Sequence, residues 1–362
     1  MTSHEPAAIS VLCVGHSSVL RRDLRAVLAH DRLLCVVGEA AQGREAVAMA
    51  KSLRPRLVTL SLDMPVMNGL EVIEQIMAHA PTRILVITEQ PLFRGLDASH
   101  EALSRGALDI VTFAGARAAS PQEQQDLLRR MKLLATVPVL PHVRRPASRL
   151  AERRPEAATT KATRRPEASL VVIGASTGGP HAVGSILAQL PPDFAAPVLI
   201  VQHFIDTLAP SFVKWLDQQT PLRVAAATSG ARPQPGDVLV AAGGSHVTAS
   251  PQGEIKMLDL PPRSGHRPSI DVLFESVAQG MGERTVGVLL TGMGRDGVAG
   301  LAAIRRAGGR TIAQDEVSSV VYGMPQAAAL AGAAERVMGM EEIAAALVRA
   351  TRPHPATSSR RR

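Results

Sequence analysis

Val171-Val172-Ile173-Gly174-Ala175-Ser176-Thr177-Gly178-Gly179-Pro180 decides the reading of this 362-residue chain. A β-branched apolar run ends in glycines around a single serine, and a helical pattern follows. That is the form of a strand turning sharply into a helix with Ser176 at the apex. Gly174 and Gly178 complete G-x-S-x-G, the spacing of a nucleophile elbow. Its glycines let the backbone turn and approach a substrate where a Cβ would not fit. Helix-start amides just after the serine could face a developing oxyanion. The same residues also suit a glycine-rich helix start that binds phosphate, or a plain turn, so the motif alone leaves the chemistry open.

Outward from this stretch, residues 169–350 read as an α/β domain. Strands are expected at Leu170–Ile173, Val198–Gln202, Asp237–Ala241, Thr285–Leu290 and Arg310–Ala313, with helices after most of them, including Val298–Ala307 and Met324–Ala331. Three strand ends carry polar residues suited to one site: Ser176, His203 and Asp296. A hydroxyl nucleophile needs a base to take its proton, and the base needs an acid to set its tautomer. His246 and His266, both beside glycines, compete with His203 for the role of base. No H-E-x-x-H or C-x-x-C is present, so no metal or other cofactor is expected, and Thr291–Gly297 lacks the G-K-[ST] of a P-loop.

Residues 1–137 alternate strands and helices. Strands are expected at Ile9–Val14, around Leu33–Val37, and at Leu57–Leu62, Ile84–Thr88 and Asp109–Phe113. Ser17 or Ser18 should cap a helix whose apolar face is Leu20, Leu24, Val27 and Leu28; further helices are expected at Arg44–Leu53, Asp97–Ser104 and Gln122–Leu134. Five βα units predict a flavodoxin-like parallel sheet, with function at the carboxyl ends of its strands.

Charge separates these blocks. Of the net +8, the Pro/Arg-rich stretch 138–168 carries eight Lys/Arg against three Asp/Glu, and the tail 351–362 carries four against none. Both blocks are then close to neutral, with no basic face interleaved with aromatics, so nucleic acid is not an expected partner. The stretch 138–168 reads as a flexible linker, and an acidic partner for the basic segments stays open. The opening MTSHEPAAIS has no basic n-region or apolar stretch, and no window approaches 18 uncharged apolar residues, so neither signal peptide nor membrane insertion is expected and the location should be cytoplasmic. Cys13 and Cys35 lie in apolar strand-like runs and should be buried free thiols.

Two sets of motifs carry a family resemblance. Leu62-Asp63-Met64-Pro65-Val66-Met67-Asn68-Gly69-Leu70-Glu71 resembles the phosphoacceptor loop of response-regulator receiver domains, with Thr88 at the switch hydroxyl. Gly15 and His16 stand where that family has two Mg²⁺-binding acids, and Phe113-Ala114 where it has Lys-Pro, which puts phosphorylation of Asp63 in doubt. Over nearly its full length the chain resembles the CheB family of chemotaxis protein-glutamate methylesterases. The matching motifs are Gly174–Pro180, Val201-Gln202-His203, His266–Phe274, and Gly287–Gly297 running on to Val321-Tyr322-Gly323-Met324-Pro325. The resemblance implies a Ser176–His203–Asp296 triad, an oxyanion contact from the Met293 amide, and a receiver that covers the site. It also implies methylated chemoreceptor cytoplasmic helices as substrate and a chemotaxis histidine kinase as partner. Phe204-Ile205 replaces the family's usual Met-Pro after the histidine. The competing reading is a non-catalytic interaction protein that keeps the fold.

Overall fold

The computed structural model describes residues 8–89, 98, 101–103, 105–136, 168–203, 209–241 and 243–351. The linker 138–168 except Ala168, the tail after Thr351, and Phe204-Ile205 lie outside the described residues.

The N-terminal unit is a five-stranded parallel sheet in the order β2-β1-β3-β4-β5. Its strands are β1 (Ile9–Val14), β2 (Leu34–Ala40), β3 (Leu57–Leu60), β4 (Ile84–Thr88) and β5 (Asp109–Thr112). Helices α1 (Ser18–Leu28), α2 (Gly43–Leu53), α3 (Gly69–His79) and α4 (Pro121–Leu134) cover it. Ala98 and Glu101–Leu103 are helical; the rest of the helix expected over Asp97–Ser104 lies outside the described residues. Ser17, not Ser18, starts α1: its Oγ accepts from the Leu20 amide at 3.1 Å. All four apolar residues of the predicted α1 face are buried, each contributing about 1.5–3 kcal/mol of apolar transfer. Ser120 and Glu123 form a reciprocal capping box on α4 behind Pro121. The order is flavodoxin-like, with the switch point between β1 and β3.

One expectation fails here. Cys13 is buried, but Cys35 is exposed. It sits on β2, an edge strand whose inner and outer residues alternate, so the apolar run reads as more buried than it is.

The C-terminal unit has a seven-stranded parallel sheet in the order β14-β13-β12-β6-β7-β9-β8. These are β6 (Leu170–Ala175), β7 (Val198–Gln202), β8 (Arg223–Ala226), β9 (Asp237–Val240), β12 (Thr285–Leu289), β13 (Arg310–Gln314) and β14 (Arg336–Met338); β10 (His246–Ala249) and β11 (Ile255–Leu258) form a separate hairpin. Strands β8 and β14 are additions to the predicted five. Both are short, mostly exposed edge strands, so neither shows an apolar run. Alternate residues of β6 face opposite layers. Val171 and Ile173 pack with α5 (Gly179–Leu187), α6 (Ala209–Gln219) and α10 (Met340–Thr351). Leu170 and Val172 pack with α7 (Ile270–Met281), α8 (Val298–Arg306) and α9 (Met324–Leu330). Helices on both faces make the sheet doubly wound. The chain leaves β6 toward β7 on one side and returns to β12 on the other, so the β6/β12 crevice is the switch point. Ser176 follows β6 directly.

Candidate active site

Strand register places Ser176 and His203 side by side. Ala175 pairs with Gln202 across β6 and β7, so Ser176 and His203 are the next residues out on adjacent strands, and the His203 amide donates to Ala175 O at 2.9 Å. On the other flank of β6, the Ser176 amide donates to Thr291 O at 3.0 Å. The turn after Ser176 needs glycine twice over. Gly178 has φ 78°, and a Cβ there would lie 2.5 Å from Val320 Cβ. Across the crevice, a Cβ on Gly292 would lie 2.6 Å from Ser176 Cβ, so that glycine permits the 291–297 loop to close on the serine.

A buried polar network holds the loop. Thr291 Oγ1 donates to Thr177 O at 2.9 Å and accepts from the Val321 amide at 2.8 Å, while the Thr291 amide donates to Gln314 Oε1 at 2.8 Å. Gln202 Nε2 donates to Ser176 O at 2.8 Å. The amides of Thr177 and Met293 donate to no described residue. Both flank Ser176, the arrangement that can receive an oxyanion.

His203 and Asp296 form a buried dyad. His203 Nε2 donates to Asp296 Oδ2 at 2.9 Å. Asp296 accepts four more bonds: from Ser269 Oγ at 2.8 Å and from the amides of Ile270, Asp271 and Gly297 at 2.7, 3.1 and 3.1 Å. Burial opposes its charge, yet these donors and the neighbouring His203 outweigh burial and hold the carboxyl well below the usual range. The other ring nitrogen of His203, Nδ1, is buried with no hydrogen-bond partner among the described residues. With Nε2 committed to Asp296, Nδ1 is the nitrogen left to take a proton.

The two competing histidines do different work. His246 is a buried structural residue: Nε2 donates to Pro261 O at 3.1 Å, and Nδ1 accepts from the Ser269 amide at 3.1 Å. Those partners fix its tautomer and occupy both nitrogens. His266 instead stacks on His203, with ring centroids 3.9 Å apart and planes 9° apart. His203, His266 and Asp296 bring potential ligand atoms within 4.8 Å of one another. Parallel rings keep their in-plane lone pairs in separate planes, so the two imidazoles do not converge on one ion at the 2.0–2.1 Å that Zn–N bonds need.

A cavity of about 490 Å³ opens on the site, lined by Ser176, His266, Met293, Arg295 and Asp296 together with Arg129 and Arg130 of α4. The N-terminal unit therefore closes one wall. Thr177 Oγ1 donates to Asp109 Oδ2 at 3.2 Å, and the same oxygen accepts from Arg130 Nη1 at 2.9 Å. Val320, Val321 and Met293 pack into the core formed by β1, α1 and α4. These contacts join segments far apart in sequence, and no local motif signals them.

Around Asp63, which is exposed, the surroundings differ from a phosphoacceptor pocket. The Arg21 guanidinium donates to the carbonyls of Gly15 and His16 and lies 3.5 Å from Glu39. Phe113 is buried in the apolar core, and Thr88 is buried at the end of β4. A cation there would meet a guanidinium and few carboxylates, so these residues do not fit the Mg²⁺ that receivers use.

Comparison with known proteins agrees with this architecture. Residues 171–347 match the CheB methylesterase family model and residues 11–113 the response regulator receiver domain model. A protein of Anaeromyxobacter dehalogenans (strain 2CP-C), named protein-glutamate methylesterase/protein-glutamine glutaminase 2, is 43% identical over 344 residues, spanning 95% of this chain and 97% of that one. A protein of Symbiobacterium thermophilum, named protein-glutamate methylesterase/protein-glutamine glutaminase, is 38% identical and spans 97% and 99%. The solved catalytic domain of Thermotoga maritima CheB methylesterase is 33% identical, with TM-score 0.49, covering 50% of this chain and 98% of that one. Receiver-type sheet, methylesterase-type sheet and end-to-end similarity coincide, and the chain belongs to the CheB family of receiver-linked protein-glutamate methylesterases.

Proposed function

We propose that this enzyme hydrolyses γ-glutamyl methyl esters on the cytoplasmic helices of chemoreceptors, and deamidates glutamine there, by a Ser176–His203–Asp296 triad. The observation that carries the reading is the dyad: Asp296, held by four other donors, binds Nε2 and leaves Nδ1 of His203, on the strand end next to Ser176, without a hydrogen-bond partner among the described residues. His203 Nδ1 takes the Ser176 proton as Oγ adds to the ester carbonyl, and the Met293 amide donates to the tetrahedral oxyanion. The adduct collapses, methoxide leaves as methanol with the proton from His203, and a glutamyl-serine ester remains. Water, deprotonated by His203, attacks that ester; the carboxylate departs and Ser176 regains its proton. With a glutamine substrate the leaving group is ammonia.

The division into receiver 1–137, linker 138–168, methylesterase 169–350 and tail 351–362 belongs to the same proposal, as does a cytoplasmic location. No helix among the described residues is long and apolar enough to cross a membrane. A chemotaxis histidine kinase is the expected receiver partner, but Arg21, Gly15, His16 and Phe113 argue that a signal other than phosphate on Asp63 lifts the receiver wall. Methanol release from methylated receptor membranes tests the activity. It should vanish in Ser176→Ala; no release from either protein would favour the non-catalytic reading.

A further inference from the structure

His266 has no part in the triad, yet it is built into it. Its ring lies face to face with His203 and lines the same cavity as Ser176 and Asp296. The segment bearing it is held at both ends. Arg263 and His266 exchange backbone hydrogen bonds at 3.0 Å across a turn whose Ser264 and Gly265 have φ 53° and 82°. Arg263 grips Glu275 of α7 with two guanidinium nitrogens, one bond being 2.7 Å. Three residues after His266, Ser269 caps α7 and donates to Asp296. The next two amides, of Ile270 and Asp271, also bond Asp296. One continuous stretch thus fixes the acid by hydrogen bonds and lies against the base through a ring.

We infer that His266 is a positioning residue of the hydrolysis: its stacked face holds the plane of His203 and accommodates the cation that forms there when Ser176 gives up its proton. This rests on the esterase reading above. A single hydrogen bond from Nε2 leaves the His203 ring free to rock about that bond, which would swing Nδ1 away from the serine. A parallel aromatic surface at 3.9 Å blocks that motion on one side. An uncharged ring face also attracts a cation placed over it. His266 stays uncharged across the working range, because burial, and then the neighbouring His203, push it down to about 4. A second cation in the stack would repel the imidazolium, so burial of His266 serves the base beside it.

The test compares His266→Phe, which keeps an aromatic face without ring nitrogens, with His266→Ala, which leaves a gap. Methanol release is measured on full-length protein, and each preparation is normalised to the Ser176 that reacts with a phosphonate ester. His266→Phe should keep kcat within about threefold, while His266→Ala loses about 10²-fold in kcat with KM little changed, the cost typical of a misplaced group. A purely structural role would lower the reactive fraction and melting temperature without moving kcat per reactive site. If His266→Ala does not fold, His266→Phe decides alone: activity near wild type supports the inference, and an inert but folded His266→Phe overturns it, since the ring nitrogens would then be doing chemistry. An unchanged kcat in folded His266→Ala overturns it as well. Wild type that releases no methanol defeats the esterase reading itself, a result distinct from these.

Discussion

Asp296→Asn separates a tautomer-setting acid from a mere structural anchor. The carboxylate accepts three donors on Oδ1 (Ser269 Oγ and the amides of Asp271 and Gly297) and two on Oδ2 (His203 Nε2 and the Ile270 amide). An asparagine satisfies most donors by placing its oxygen at Oδ1, which turns its NH₂ toward Ile270 and His203. The Ile270 amide then loses its acceptor, at about 1–3 kcal/mol. His203 Nε2 must become an acceptor, so the imidazole proton moves to Nδ1, the atom that has to receive the serine proton. The wrong tautomer costs about 10⁴ in kcat in the serine-protease template, equivalent to about 5 kcal/mol of transition-state stabilisation. The assay is methanol release at neutral pH by full-length wild type and variant, with urea midpoints measured in parallel. The expected outcome is a folded protein, destabilised by a few kcal/mol at most, with activity near the Ser176→Ala background. A variant within tenfold of wild type would refute the assignment of Nε2 to Asp296 and Nδ1 to the serine.

Four other outcomes follow from the same structure. Acyl phosphate with Mg²⁺ should leave Asp63 unlabelled, because Gly15 and His16 stand where a receiver holds acids, with Arg21 on their carbonyls, and the buried Phe113 stands where it holds lysine; stoichiometric labelling lost in Asp63→Asn would contradict this. Asp109→Ala removes the acceptor of the Thr177 hydroxyl and should raise methanol release by about fivefold if that bond contributes ~1 kcal/mol to the closed receiver wall, whereas a fall would count against a gating role. Only one thiol should react quickly with a disulfide reagent in native protein and two after unfolding, because Cys35 is exposed while burial pushes the Cys13 thiol up to about 11. Below its ordinary 6.5, His266 binds a proton in the unfolded chain but not in the folded one until about 4. Stability should therefore fall as pH drops through that window, and His266→Phe should flatten the slope of urea midpoint against pH.

Local pattern alone determined much of this protein. Apolar runs marked the central strands β1, β4, β6, β7 and β12 to within about two residues, because a strand buried on both faces must be continuously apolar. The Ser176 elbow, the α1 face and the strand-end positions of His203 and Asp296 were legible for the same reason: parallel sheets put function at carboxyl ends. Edge strands β8 and β14 were hidden because exposed edges need no apolar signal. The exposure of Cys35 was hidden because an edge strand alternates. Residue pattern alone left three histidines open; the family motifs pointed to His203, and tertiary structure supplied the physical reason. His246 and His266 lie near glycines while His203 ends an apolar strand, and only the packed chain satisfies both nitrogens of His246, stacks His266, and gives His203 the Asp296 carboxylate. The family resemblance implied a receiver over Ser176, but the contact that forms the wall was invisible, since Asp109 and Thr177 meet across 68 residues of chain. Residue type and spacing specify what a segment can form; which distant groups then share a hydrogen bond is decided only when the sheets and helices pack.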